Sequence, residues 1–414
     1  MSQESKDSSS NDDSRSSNSH NSEAVMEGEE KGEFAQEDED DEIVIGIPVS
    51  SDTKILVTGG NGYLGSHIVF YLLEKGVSVR VTVRDKTNKD SYSHLHKLPN
   101  AKIEGRLEIE EAELTNKDVW NQVCMGCDAI IHTASPNPFK APKQELEVIF
   151  PAVEGTLAIL HAAKEIGIKR VVMTSSIGAI KGGKYKLTYN EEAWGEPENI
   201  TGVEKSKIFA ERSAWFFKKE NSEHIQLTVI NPGFMLGPCL QDHYEFSSGL
   251  FFKKFMDGRV TSLLKMHIPI VDVRDAALAH VKALWNPTTI NQRYICVEGS
   301  HWFESFSGVL SREFSPEGFE FPSKTISSFP LKLISFFDSG VKTMLPFYGK
   351  EIYFSNEKIK SDLQFVFRNF DETLVDMGYC FLDKKFIDKV KPAQKEEEEE
   401  GDEDDEHEEQ NLNA

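Results

Sequence analysis

The chain is poor in cysteine, in long apolar runs and in positive charge. It has five cysteines in 414 residues, an odd count and too few for a disulfide framework. With no signal-peptide pattern at the start, a reducing compartment, the cytoplasm, is expected. Cys124 and Cys127 make the one C-x-x-C. No second Cys or His pair stands at zinc spacing, so no metal site is expected. The two read as incidental thiols at a helix-to-strand junction, a redox pair being the alternative. No apolar run reaches the ~18–20 residues of a bilayer span, so no membrane span is expected. The acidic start lacks the Arg-rich amphipathic pattern of a transit peptide.

Lys and Arg number 46 against 69 Asp and Glu, a net charge of −23. The excess is unevenly placed. Residues 1–45 carry a net of −12 and residues 391–414 a net of −10, which leaves −1 for residues 46–390. The body is near-neutral and has two acidic arms. Such arms bury too little apolar surface to offset their ordering entropy. They read as solubilising, disordered extensions (1–50 and 391–414), with docking to a basic protein partner as the sharper alternative. They argue against nucleic-acid binding, which needs a cationic surface.

Within the body, apolar strands alternate with helices. Lys54–Thr58 is a short apolar run ending in Gly59-Gly60-Asn61-Gly62-Tyr63-Leu64-Gly65. A helix is predicted over His67–Lys75 with Gly76 closing it, then a β-branched strand over Val77–Val83. Further strands are predicted at Ala129–Ala134, Arg170–Ser175 and Leu227–Ile230, with helices at Val153–Ile166 and Lys205–Phe217. This alternation predicts an α/β fold with a doubly wound parallel sheet. The dinucleotide domain is expected over 51–295, with a substrate-lobe segment near 232–270. A smaller C-terminal lobe is expected over 296–390. The amphipathic stretch Phe329–Phe337 can lie on a membrane, but reads better as the core face of that lobe.

The glycine turn has a mechanical reading. Gly59 permits the turn, Gly62 lets backbone approach a pyrophosphate, and Gly65 lets the helix pack closely. The helix N-terminus offers partial positive charge to the phosphates. Arg84-Asp85 ends the second strand. A carboxylate there takes the ribose 2′-hydroxyl of NAD, whereas a guanidinium matches the 2′-phosphate of NADP. Arg84 comes first, so NADP is expected over NAD, with Lys86 and Lys89 assisting.

Several longer segments carry a resemblance: VRVTVRDKTN (79–88), GCDAIIHTASP (126–136), VEGTLAILHAAKE (153–165), RVVMTSSIGAI (170–180), KSKIFAERSAW (205–215), NPGFMLGP (231–238) and VDVRDAALAHVKAL (271–284). With the turn, they resemble the extended short-chain dehydrogenase/reductases, in particular the group of dihydroflavonol 4-reductase and cinnamoyl-CoA reductase. The resemblance covers residues 52–300 well and 300–385 more loosely. It implies a Rossmann sheet, a small substrate lobe, and a Ser, Tyr and Lys that reduce a carbonyl or oxidise an alcohol of a small molecule.

Carried over, the serine is Ser176 and the lysine Lys207. The tyrosine position, four residues before the lysine, is Val203. Tyr185 and Tyr189 are the nearest substitutes. Cofactor contacts are implied for Thr58, Gly59, Asn61, Gly62, Tyr63, Leu64, Gly65, Arg84, Lys89, Glu113, Leu114, Thr133, Ala134, Ser135, Thr174, Lys207, Pro232 and Gly233. His132 reads as a packed structural residue, and Phe139, Met235 and Leu236 as candidates for the substrate wall, with plain core as the alternative for each. Valine has no proton to give. The chain therefore reads as an NADP(H)-dependent reductase with impaired or altered chemistry, or as a non-catalytic NADP-binding scaffold.

Overall fold

In chain order, the computed structural model has β1 (Lys54–Thr58), α1 (Tyr63–Glu74), β2 (Ser78–Val83), β3 (Leu107–Glu111), α2 (Lys117–Cys124), β4 (Ala129–His132), α3 (Leu146–Ile166), β5 (Arg170–Thr174), α4 (Ile177–Lys181), β6 (Thr188–Tyr189), α5 (Gly202–Glu220) and β7 (Gln226–Pro232). There follow β8 (Phe234–Leu236), α6 (Ser247–Met256), β9 (His267–Asp272), α7 (Val273–Trp285), β10 (Gln292–Cys296), β11 (Gly299–Trp302), α8 (Phe303–Phe314), α9 (Ser328–Ile334), α10 (Ser339–Met344), β12 (Tyr353–Phe354), α11 (Glu357–Leu363) and α12 (Phe370–Asp383). The structure describes residues 50, 52–136, 142–335 and 339–388. Both acidic arms and Phe139 lie outside the described residues.

Seven strands form one parallel sheet in the order β3-β2-β1-β4-β5-β7-β10. β1 shows why an apolar strand belongs at its centre. Ile55 and Val57 face one core with Ile68, Leu72 and Val281, while Leu56 faces the other with Ile130, Ile159 and Leu227; all are fully buried. A strand covered by helices on both faces has no polar side to show. Chain direction across the sheet reverses between β1 and β4, and the crevice at such a switch point is where open α/β sheets take ligands.

The doubly wound sheet is as the alternation predicts, with shifted boundaries. α1 starts at Tyr63, a turn earlier than expected, because Gly62 is extended and serves as its N-cap. α3 starts at Leu146 rather than Val153 and takes Pro151 into its second turn. At 21 residues, α3 is long and apolar enough to cross a bilayer by length and composition, although no unbroken apolar run of that length exists in the sequence. Half of its apolar window is buried, with Ala152, Ala158, Ile159 and Ala162 in the core shared with α5 and β4.

The chain beyond β7 adds a three-stranded sheet, β11-β9-β8, and α12. Asp272 caps α7 and accepts from Thr373 of α12 (3.0 Å) and from Arg274, which also reaches Asp376 (2.7 Å). Arg368 pairs with Asp275. The described part of the segment Phe329–Phe337 is not a core face, and its last two residues lie outside the described residues. Of α9, Leu331 alone is buried, while Phe329 is 70 % exposed and Leu333 and Ile334 about half exposed.

Candidate active site

At the switch point a cleft of ≈ 730 Å³ opens. Its floor is the glycine turn. Gly59 has φ +64°, a region a side chain disfavours, and a Cβ on it would meet the Ala134 backbone at 3.1 Å. A Cβ on Gly65 would lie 2.3 Å from the Gly59 carbonyl oxygen. Gly65 therefore packs the helix against the turn itself. The glycine pressed on the sheet is Gly60, whose Cβ would sit 2.8 Å from Val81 of β2, and the sequence reading gave it no role. Gly62 and Leu64 line the cleft, and the first N–H groups of α1 start here.

Thr58 is buried behind the turn. It accepts from Ala134 N–H (3.2 Å), bonds His132 Nδ1 (2.7 Å), and its carbonyl accepts from Thr133 (2.7 Å). His132 is structural. Burial, then the neighbouring Lys207, pushes its pKa down to about 3, so its ring is neutral and free to accept from Thr58. Asn61 donates to the Ser91 carbonyl (3.1 Å). Tyr63 donates to the Gly237 carbonyl (2.7 Å) and stacks on Phe246 at 4.1 Å.

One end of the cleft holds Arg84, Asp85, Asn88, Ser91, Glu113 and Leu114. The Asp85 carboxylate is held by the Thr87 hydroxyl and N–H (2.6 and 2.8 Å), which lower its pKa. The Arg84 guanidinium is 83 % exposed, with Glu113 3.7 Å away. The cation is thus open to an anionic ligand, while the neighbouring carboxylate is engaged. Lys86 pairs with Glu110 (3.3 Å) instead of facing the cleft. Lys89 also misses the lining. It sits in the 3-10 turn Lys89–Ser91, which turns Asn88 and Ser91 to the cleft.

The other end brings together Thr133, Ala134, Ser135, Thr174, Ser175, Ser176, Lys207, Pro232, Gly233, Phe234 and Met235. Lys207 projects from α5 and donates from Nζ to Ser135 Oγ (2.8 Å). Burial lowers its pKa to about 8. Ser176 caps α4, accepting the Gly178 N–H (3.0 Å), which leaves its hydroxyl proton for a ligand. The Thr174 hydroxyl turns to His280 Nε2 (2.7 Å), because His280 Nδ1 donates to the Ala276 carbonyl (2.7 Å). Leu236 is fully buried core, not cleft wall.

Val203 opens the first turn of α5 and is not a lining residue. Neither substitute tyrosine reaches the cleft. Tyr189 stacks on Phe354, donates to the Lys184 carbonyl (2.6 Å) and accepts from Lys186 N–H (2.8 Å). Tyr185 donates to the Glu351 carbonyl (3.1 Å) beneath Lys350. The β6–β12 pairing and the surrounding apolar cluster draw both tyrosines toward the C-terminal segment.

The sequence reading missed a buried carboxylate, Glu211, one turn after Lys207. It accepts from Ser175 Oγ (2.5 Å), Asn231 Nδ2 (2.8 Å), Arg293 Nε (2.6 Å) and Trp215 Nε1 (3.2 Å). These bonds tie the ends of β5 and β7 to α5 and β10, fixing the turn that carries Ser176 and the backbone that carries Pro232. A charge inside each of the apolar runs IFAERSA and QRYIC was the available signal. Cys124 and Cys127 are buried at the α2–β4 junction, and burial raises their thiols to about 12 and about 11, which makes them inert. Among the described residues, no group of three or more His, Cys, Asp or Glu is placed to hold a metal ion.

The profile of the NAD dependent epimerase/dehydratase family matches residues 55–296. Cinnamoyl-CoA reductase 1 of Petunia hybrida is 34 % identical over 281 residues, 66 % of this chain and 80 % of that protein. Anthocyanidin reductase of Arabidopsis thaliana is 33 % identical over 319 residues, 70 % of this chain and 92 % of that protein. Among solved structures, yeast methylglyoxal/isovaleraldehyde reductase complexed with NADPH superposes with a TM-score of 0.67 at 25 % identity, covering 81 % of this chain and 99 % of that one. Vestitone reductase from alfalfa gives 0.62 at 25 % identity, covering 81 % and 99 %. The chain belongs to the NAD dependent epimerase/dehydratase family of extended short-chain dehydrogenases/reductases, in the group of the cinnamoyl-CoA and dihydroflavonol 4-reductases.

Proposed function

We propose that this protein is an NADPH-dependent reductase of a small-molecule carbonyl, in which Lys207 replaces the missing tyrosine as the source of the proton. The observation that carries the reading is the arrangement of one cleft. An open guanidinium (Arg84) stands at one end, the glycine turn in the middle, and Ser176 with a hydrogen-bonded Lys207–Ser135 pair at the other. That spread suits a dinucleotide phosphorylated at its adenosine ribose. NADPH of the relative's complex supports the assignment.

Bound there, the cofactor supplies the hydride. The chain's own residues then have separable tasks. Arg84 takes the 2′-phosphate, Ser176 Oγ–H orients the carbonyl oxygen, and the Lys207 ammonium passes a proton through the Ser135 hydroxyl to that oxygen. Its pKa of about 8 lies near neutral pH, where a general acid works best.

Val203 also motivates a second reading, a non-catalytic NADPH-binding scaffold. A paired assay separates the two. NADPH affinity is measured first, then NADPH oxidation with a panel of aldehydes and ketones, for the native chain, Lys207→Ala and Val203→Tyr. The reductase reading expects native turnover that Lys207→Ala abolishes. Tight binding with no native turnover, and new turnover in Val203→Tyr, would establish the scaffold instead. No NADPH binding sinks both.

A further inference from the structure

Behind the glycine turn lies a second pair of thiols. Cys239 follows β8 in the loop Gly237–Asp242, and Cys380 lies in α12, 141 positions later. Their sulfurs are 3.9 Å apart. Cys380 Sγ also accepts the Cys239 backbone N–H (3.3 Å). Cys239 is buried, while Cys380 is partly exposed. Lys384, at the C-cap of α12, binds the Leu240 carbonyl and Asp242 (3.3 Å each) and adds positive charge. The hydrogen bond from the Cys239 thiol holds the Cys380 thiol below the ordinary thiol range, and the same bond raises that of Cys239. One sulfur is therefore reachable and thiolate-prone, and the other stands next to it as the resolving thiol. The C-x-x-C pair has neither property.

The loop that carries Cys239 is the back wall of the candidate cofactor turn. Its Gly237 carbonyl accepts from Tyr63 (2.7 Å), its Pro238 carbonyl from His67 Nε2 (3.0 Å), and Gln241 Nε2 donates to the Asn61 carbonyl (3.3 Å). Asn61 and Tyr63 line the cleft.

We propose that Cys239 and Cys380 form a reversible disulfide on exposure to a peroxide, and that this bond clamps α12 to the loop backing the cofactor turn. The Cys380 thiolate attacks one peroxide oxygen and displaces hydroxide, leaving a sulfenic acid. The Cys239 sulfur then attacks the Cys380 sulfur. The sulfenic hydroxyl leaves as water, taking up the thiol proton. Two thiols and one peroxide give one disulfide and two waters, the sulfurs losing the two electrons that the peroxide gains. Contraction from 3.9 Å to a bond of about 2.05 Å draws the loop toward α12 and with it the Asn61 and Tyr63 contacts.

The test uses the full chain, reduced and then exposed to a small molar excess of hydrogen peroxide. Peptide mapping without reductant is expected to show a Cys239–Cys380 linkage that dithiothreitol removes. The thermal midpoint is expected to rise on oxidation in the native protein, because the bond closes a long loop, and to stay put in Cys380→Ser. The NADPH dissociation constant is expected to rise at least twofold on oxidation in the native protein and not in the variant. Sulfinic acid on Cys380 without a cross-link, or a linkage through Cys124 or Cys127, overturns the proposal. A Cys239–Cys380 linkage with an unchanged dissociation constant overturns its coupling to the cofactor turn. That result stays distinct from failure of the cofactor assignment itself, in which the reduced protein binds no NADPH at all.

Discussion

Lys207 holds an ammonium where a methionine would be more stable. Its pKa falls from 10.5 to about 8 through burial, which at ~1.4 kcal/mol per pH unit is about 3 kcal/mol of preference for the unfolded chain when the group is charged. The side chain keeps some solvent contact at the cleft, so about 2 kcal/mol is the working figure. Lys207→Met keeps the length and removes the charge. Without cofactor at pH 7 it is expected to unfold at higher urea than the native chain, by about 2 kcal/mol with an unchanged slope. The sign with pH follows. Between about 8 and 10.5 the unfolded native chain binds the proton more than the folded one, so native stability rises with pH in that window relative to the variant. The advantage of Lys207→Met is therefore fully present below pH 8 and gone by about pH 10.5. Equal stability at pH 7, or an advantage that does not change between pH 7 and 10, refutes the reasoning. The same variant is expected to lose carbonyl-dependent NADPH oxidation.

Three further outcomes are expected. Arg84→Ser raises the NADPH dissociation constant about tenfold, the low end for a charged hydrogen bond at an open site, and leaves that for NADH unchanged; titration calorimetry with both cofactors checks this. Gly65→Ala abolishes dinucleotide binding, because its Cβ would sit 2.3 Å from the Gly59 carbonyl and the turn must open; fluorescence titration with NADPH reads it. Glu211→Ala strands the buried Arg293 guanidinium and costs about 3–5 kcal/mol in urea unfolding, and adding Arg293→Met recovers most of that loss.

What could be read in the sequence was whatever depended on local pattern. A parallel strand covered on both faces must be continuously apolar, so Ile55-Leu56-Val57 announces itself, and the glycine turn follows from the strand-to-helix reversal it must make. Arg84 lines the cleft because it directly follows β2, a strand whose register is fixed. Lys89 does not, because a short 3-10 turn decides which of three successive side chains faces inward, and no periodicity encodes that choice. Tyr185 and Tyr189 were offered as substitutes on proximity in sequence. The structure draws them away through β12, whose residues pair with β6 partners 165 positions earlier in the chain, and such long-range pairing leaves no local trace. The described part of Phe329–Phe337 departs from expectation for the opposite reason. Its apolar stripe is real, but whether a stripe is covered depends on the neighbours that the rest of the chain supplies.

Glu211 and Val203 show the same limit from two sides. Glu211 looks like an ordinary polar residue on α5 until the ends of β5 and β7 and the strand β10 bring three donors to its two oxygens, with Trp215 of its own helix the fourth. A carboxylate with four donors fixes the strand ends, so Ser176 stands in place whether or not a phenol stands opposite it. Val203 was visible at once by its spacing from Lys207, but the consequence lay elsewhere. The lysine that would have tuned a phenol bonds Ser135 instead, a residue three positions beyond β4 with no sequence relation to α5. With valine at position 203, this end of the cleft still holds polar groups. They are a cation of depressed pKa on a hydroxyl that faces the cleft, beside a serine whose proton is free. A reduction needs a hydride acceptor held in place and one proton. On the proposed reductase reading the chain retains groups for both, and it is the distance from Lys207 Nζ to Ser135 Oγ, more than the identity of residue 203, that ties the proton to the site.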